Sequence, residues 1–213
     1  MNFLAHCALA DDAAGVWQVD TEARRGLLAG AFIGDFIKGP LPSDWPPALR
    51  AGARLHRRID ALSNRSAGIR RSCDRFPEHL RRFAPIFVDM LADHSLSLSW
   101  AQHYSQPIAA FSEECYAAIE AYAEQLPAPG QRFFSYMQDV DLLANYHEWD
   151  HVARGLHSVL KRLQREPWFA EVEAASRALI VPTGADFADY YPELRRAWET
   201  WDAFEAIAAP RNS

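Results

Sequence analysis

The sequence predicts an all-α fold, a single-domain helical bundle, and three observations carry that expectation. Apolar residues recur mostly at three- and four-residue steps, as in Ala53, Leu55, Ile59 and Leu62, in Phe83, Phe87 and Leu91, and in Ile108, Phe111, Cys115 and Ile119. No run of four to eight residues alternates as a half-buried strand does, and β-branched residues are sparse. The length, 213 residues, suits one domain, and a chain 49% hydrophobic and 23% charged has ordinary globular composition. Those proportions exclude a disordered chain, a collagen-like repeat and a disulfide miniprotein.

Proline and glycine set the element boundaries, at Gly39-Pro40-Leu41-Pro42, Pro46-Pro47, Pro127-Ala128-Pro129-Gly130, Pro167 and Pro182. Between them the predicted helices run over 21–38, 47–73, 80–104, 107–126, 131–146, 149–166, 168–180 and 186–207. The first holds the apolar stretch Leu27–Ile37, interrupted by Asp35 and stopped at Gly39-Pro40. Ser43 or Asp44 is placed to cap the second, ahead of prolines that a first turn tolerates. The third holds Phe83–Leu91, interrupted by Asp89. The helix over 149–166 reads as amphipathic and exposed, and the tryptophans read mostly as core fillers by spacing. No repeat or low-complexity linker divides the chain.

Neither apolar stretch approaches the roughly 18 residues of a membrane span. The opening Met1-Asn2-Phe3-Leu4-Ala5-His6 lacks the basic region of a signal peptide. Cys7, Cys73 and Cys115 are an odd, widely spaced set without a CxxC pair, expected as reduced core thiols of a cytoplasmic protein. Charge is uneven. Residues 50–82 hold ten arginines against Asp60, Asp74 and Glu78, so this segment carries +7 and the remainder −13 within a net −6. Such a band favours a local anionic partner over general nucleic-acid binding, although an arginine-rich solvated helix face gives the same pattern.

Polar residues that interrupt apolar helical faces are costly to bury unless paired or ligated. His56 and Asp60 are four apart and share a helix face, as do Asp89 and Asp93, with His94 directly after. Asp35 interrupts Ala31–Ile37, and His6 lies in the first apolar turn. Imidazoles and carboxylates from several helices suit a divalent ion such as Mn²⁺, Mg²⁺ or Fe²⁺, which polarises phosphoryl oxygens and supplies hydroxide near neutral pH. Arg57 and Arg58 stand beside the His56/Asp60 pair, where a guanidinium can neutralise phosphate. Each residue has a plainer reading: a hydrogen-bonded core histidine for His6, and a surface ion pair for Arg57 with Asp60. Two carboxylates on one apolar face, as at Asp89 and Asp93, repel unless a cation sits between them.

His147-Glu148-Trp149-Asp150-His151 also fits H-E-x-x-H, the zinc-peptidase helix with two histidine ligands and a glutamate base. Against it, Asp150 adds a carboxylate beside the zinc. No feature selects a third ligand among Glu166, Glu171 and Glu173, and no sheet is predicted to line a peptide. Gly-rich phosphate loops and G-x-S-x-G elbows are absent.

Four blocks together resemble the acyl carrier protein phosphodiesterase family: Met1–His6, Gly30–Gly39, Leu55-His56-Arg57-Arg58-Ile59-Asp60, and Asp89-Met90-Leu91-Ala92-Asp93-His94. They occur in the family's order and spacing, and the likeness extends weakly to about residue 200. The resemblance implies an all-helical fold distantly similar to the HD phosphohydrolases. It implies hydrolysis of the phosphodiester joining 4′-phosphopantetheine to a carrier-protein serine, with a divalent metal, typically Mn²⁺. Carried onto matching positions, His6, Asp35, His56, Asp60, Asp89, Asp93 and His94 become the metal shell, and Arg57 and Arg58 the phosphate binders. His56 and Asp60 lie at the reacting centre, and Asp93 or His94 protonates the leaving serine oxygen. The basic band, through Arg70, Arg71 and Arg75, becomes the dock for an acidic carrier protein.

The chain departs from the family pattern at Ala8, where a histidine is usual, at Ser95, where phenylalanine is usual, and at Ser63-Asn64, where Thr-Asp is common. These departures leave room for a metal phosphohydrolase of a small nucleotide or phosphate ester. A third reading is a non-catalytic helical protein that binds an anion or a carrier protein through the arginine band.

Overall fold

The computed structural model describes residues 1–201, and within them the chain is helical with no strand. In order the helices are α1 (Phe3–Val16), α2 (Thr21–Ile33), α3 (Pro47–Ser63), α4 (Ala67–Asp74), α5 (Ala84–Leu98), α6 (Trp100–His103), α7 (Ile108–Glu120), α8 (Ala128–Asp139), α9 (Leu142–Asn145), α10 (Trp149–Arg162), α11 (Phe169–Ala178) and α12 (Ile180–Arg196). One hydrophobic core draws on side chains from α1 through α12. No helix among the described residues is long and apolar enough to cross a membrane. All three cysteines are free, with Cys7 and Cys115 buried and Cys73 half-buried.

The all-α expectation holds, with corrections at the boundaries. No helix is predicted before residue 21, yet α1 occupies 3–16. Its residues from Leu4 to Ala10 are all buried, so it is apolar on every side and shows no amphipathic period. The predicted helix 47–73 breaks after Ser63, where the Ser66 side chain caps α4 by accepting from the Ile69 amide. Neither Ser43 nor Asp44 caps α3. Proline at its first position has no N–H to satisfy, and the Ser43 carbonyl instead accepts from the Arg50 guanidinium. The helix expected over 131–146 breaks at Asp141, which takes a left-handed φ of 43°. α12 begins six residues earlier than predicted because Pro182 fits its first turn; positions 202–207 of that prediction lie outside the described residues.

Helices α2 and α3 form the most extensive helix pair, and they meet backbone to backbone. A Cβ on Gly30 would lie 2.2 Å from the Leu49 carbonyl oxygen, and one on Gly52 would lie 2.3 Å from that of Leu27. Only glycine permits that approach. It brings the Ala31 carbonyl within 2.8 Å of His56 Nδ1, which donates to it.

Two buried carboxylates tie distant helices together. Asp93 on α5, fully buried, accepts from the amides of Leu4 (2.8 Å) and Ala5 (3.1 Å), satisfying the start of α1 where the Asn2 side chain makes no cap. Asp186 on α12 accepts from Ser72 Oγ (2.9 Å) and from the guanidiniums of Arg71 (3.2 Å) and Arg75 (2.9 Å), clamping α12 onto α4.

Two substitutions test this framework. Gly52→Ala forces the α2–α3 backbones apart and should cost about 1–3 kcal/mol by urea denaturation. Asp93→Ala leaves two buried amides without an acceptor and should cost about 1–3 kcal/mol, with Asp93→Asn milder because one acceptor oxygen survives. An unchanged urea midpoint in either alanine variant refutes the corresponding role.

Candidate active site

A cleft of about 940 Å³ opens where α1, α3, α5, α8 and α10 converge. Its polar floor comes from three elements. α1 supplies His6, the 3-10 turn Gly34–Phe36 after α2 supplies Asp35, and α3 supplies His56 and Asp60 on one face. The α2–α3 crossing sets this floor. With its Nδ1 proton given to the Ala31 carbonyl, the buried His56 ring presents Nε2 as its free nitrogen, 3.4 Å from Asp60 and 4.0 Å from Asp35.

His6 lies against this pair. Its ring stacks on that of His56 at 4.0 Å between centroids, tilted 20°, and its Nε2 is 3.2 Å from Asp60 Oδ1. Although 1% exposed, neither nitrogen of His6 makes a hydrogen bond, because the Asp60 contact is poorly aligned for one. Burial, and then the adjacent imidazole of His56, push His6 down to about 3, so it is neutral at physiological pH. Asp60 is held well below the usual carboxylate range, since the two imidazoles facing it outweigh the burial that alone would raise it.

The ligand atoms of His6, His56 and Asp60 all lie within 4.8 Å of one another, a spacing that can hold one cation. The chemistry of the set fits a divalent ion. Two imidazole nitrogens face an ionised carboxylate, and one imidazole is otherwise an orphan in the interior. A cation between them satisfies His6 and gives the crowded polar atoms a common partner.

The remaining predicted residues separate. Asp89 lines the cleft and pairs with the Met1 amino group at 2.5 Å. Burial raises its carboxyl against the pull of that ammonium, and the ammonium is in turn held charged by Asp89 against its own burial. Asp93 does not line the cleft, and both of its oxygens are occupied by α1 amides. Burial, opposed by those amides, raises its carboxyl to about 7. His94 is also off the cleft. Its Nδ1 donates to the Tyr146 carbonyl at 2.7 Å, its ring stands edge-on to Trp149, and burial lowers its basicity. Asp93 and His94, both expected in proton transfer and in the metal shell, are therefore corrected to positions off the cleft, where they join elements of the fold.

The arginines are corrected as well. On α3 they point away from the His56/Asp60 face: Arg57 donates to the carbonyls of Ile37 (3.2 Å) and Gly39 (2.7 Å), and Arg58 stacks on Trp201 at 4.7 Å. Neither lines the cleft. Arg71 and Arg75 are held by Asp186, while Arg70 is exposed and away from the cleft. The H-E-x-x-H match does not form a zinc-peptidase site. α10 begins at Trp149, so His147 and Glu148 precede it, and His147 Nδ1 donates to the Ala144 carbonyl.

Sequence reading missed the lining that α8 and α10 add to the cleft. α8 contributes Arg132 and Phe133, and α10 contributes His151, Arg154, Ser158 and Arg162 at three- and four-residue steps along one face. That polar stripe was readable in the sequence, although it gives no sign of facing a cleft. His151 is buried there with Nδ1 unbonded. Of the departures from the family pattern, Ser63 and Asn64 line the cleft, whereas Ala8 and Ser95 are buried away from it.

Three relatives, each named acyl carrier protein phosphodiesterase, align over 203 residues, covering 91% of this chain and 95% of theirs. Those from Escherichia coli O6:H1, Shigella boydii serotype 4 and Escherichia coli O157:H7 (strain EC4115) are 31%, 32% and 32% identical to it. No solved structure matches the chain. The family model described as acyl carrier protein phosphodiesterase matches residues 1–194, which takes in every residue of the cleft, and the chain belongs to that family.

Proposed function

We propose that this protein is a metal-dependent phosphodiesterase that cleaves the bond between phosphate and serine in holo acyl carrier protein, releasing 4′-phosphopantetheine and apo carrier protein. The supporting observation is the neutral, unbonded His6 beside His56 and the ionised Asp60, at the floor of a cleft, in a chain of this family. His6, His56 and Asp60 would hold the ion, with Asp35 and Asp89 at the margin of the same floor. A divalent ion there, Mn²⁺ first and Mg²⁺ or Fe²⁺ by the same donor chemistry, supplies polarisation of a phosphoryl oxygen and acidification of water.

The chain's own residues set the geometry of that chemistry. The Ala31 carbonyl fixes the His56 tautomer and aims Nε2 at the floor. Asp60 carries the negative charge that draws a cation to the site. Depressed basicity keeps the His6 lone pair available instead of protonated. A distant likeness to HD-type phosphohydrolases is part of this reading.

Mass spectrometry of holo carrier protein incubated with the enzyme and Mn²⁺ should show loss of one phosphopantetheine, blocked by a chelator. His56→Ala should abolish that loss while leaving the helical circular dichroism intact. A fully active variant sinks the assignment. Cleavage of small phosphodiesters with holo carrier protein untouched would favour the small-ester hydrolase.

The neutral His6 also fixes a pH dependence. In the metal-free protein it binds its proton only near pH 3, whereas an unfolded imidazole does so near 6.5. Between those values the unfolded chain holds the extra proton. The contribution of His6 to stability is therefore full above pH 6.5 and falls on acidification, by up to about 1.4 kcal/mol per pH unit, opposite in sign to that of Asp93, whose carboxyl is raised to about 7. His6→Gln should flatten that slope between pH 7 and 5; equal slopes in urea titrations of the two proteins would refute a neutral His6.

A further inference from the structure

We infer that Arg132, Arg154 and Arg162, on the α8 and α10 lining of the cleft, are the residues that dock the acidic face of the protein substrate. This rests on the reading that the substrate is a carrier protein, and it moves the docking surface away from the 50–82 band. All three line the cleft and are exposed. None makes a hydrogen bond or an ion pair among the described residues.

The arginines of the predicted dock are either held within the fold or, like the exposed Arg65 and Arg70, lie off the cleft. Arg71 and Arg75 hold Asp186, Arg57 holds two loop carbonyls, and Arg58 stacks on Trp201. Burial of Asp186 makes its arginines costly to withdraw, whereas Arg132, Arg154 and Arg162 carry charge that only a partner can neutralise.

Spacing selects the kind of anion. Arg154 and Arg162 stand eight residues apart on α10, about 12 Å along the axis, and Arg132 comes from a separate helix. A single phosphodiester is compact and suits one guanidinium fork, while a row of carboxylates on a protein face suits charges spread over such a span. Between the two α10 arginines the wall is Gly155, Ser158 and Val159, near Met90 of α5, a strip that carries no charge and fits an uncharged arm. The arginines would then hold the protein face around its serine, whose phosphate meets the histidine floor, with the arm running beyond the phosphate along this strip.

The test combines Arg154→Glu with Arg162→Glu, and uses Arg132→Glu separately on α8 in case the double variant misfolds. Two quantities are read: KM and kcat on holo carrier protein, and binding of fluorescently labelled apo carrier protein, which lacks the phosphate. The expected result is a KM about tenfold higher or more, with kcat within about threefold, and apo binding weakened by a similar factor and further by salt. Lys161→Glu makes the same charge change off this wall and should leave both within about twofold. Apo binding equal to wild type in the folded charge-reversal variants overturns the inference. Weakened holo binding with apo binding intact also overturns it, because the arginines would then hold the phosphate arm. Arginine-dependent apo binding without cleavage of holo carrier protein supports the docking wall and removes the reaction assigned to the floor.

Discussion

The crossing of α2 and α3 at Gly30 and Gly52 is the constraint from which the site follows. Side chains at these positions would collide with carbonyl oxygens of the facing helix, so the two axes can be this close only with hydrogen there. That closeness makes a main-chain carbonyl of α2 the partner of a side-chain nitrogen on α3, and so decides which nitrogen of His56 faces the cleft. Asp60, four residues on, is carried to the same face by helical geometry alone. Asp35, in the turn that ends α2, arrives by the same crossing, and a Cβ on Gly34 would lie 2.9 Å from that of His56. The packing of two helices and the orientation of a candidate ligand are thus one arrangement.

Buried charge in this protein has two uses, and the structure separates them by what satisfies each group. Asp93 and Asp186 have their oxygens filled by amides, a hydroxyl and guanidiniums, and each joins helices far apart in sequence. Their desolvation is offset locally, by guanidiniums that outweigh it at Asp186 and by amides that oppose it in part at Asp93. His6 is equally buried and has no hydrogen bond, and Asp60 faces two imidazoles with room beside it. A group left unsatisfied at the floor of a cleft is destabilising on its own, and the interior elsewhere in this protein shows that such groups are usually paired. At His6 that cost falls where a ligand can relieve it.

This distinction explains what was legible in the sequence. Helical spacing revealed the all-α class and put His56 with Asp60, because both depend on local periodicity. The fully apolar α1 hid its helix for the same reason, since periodicity vanishes when every face is buried. Asp89 and Asp93 share a helix face as expected, yet one meets the Met1 amine at the cleft and the other caps α1 in the core. Four residues along a helix settle direction, and depth depends on what packs above. Breaks at Ser66 and Asp141 turn on capping and a left-handed residue, signals weaker than the apolar pattern running through them.

Arginine is the residue type for which sequence density misleads most. Ten arginines between 50 and 82 make the eye expect a binding surface there. The fold instead uses several of them internally: Arg71 and Arg75 on a buried aspartate, Arg57 on a loop, Arg58 on an indole. A guanidinium with five donors in a rigid fork is well suited to such joints, so a dense run can mark a structural seam. Charge available to a partner is what remains after internal pairing, and along the cleft it lies on α8 and α10, where arginines are few and separated in sequence. The wall they form lines the same cleft as the one group of imidazoles and carboxylate that can hold a cation among the described residues. A cleft that brings together a group able to hold a cation and a set of unpaired arginines is arranged to take an anionic molecule whose reactive group lies next to its charged face.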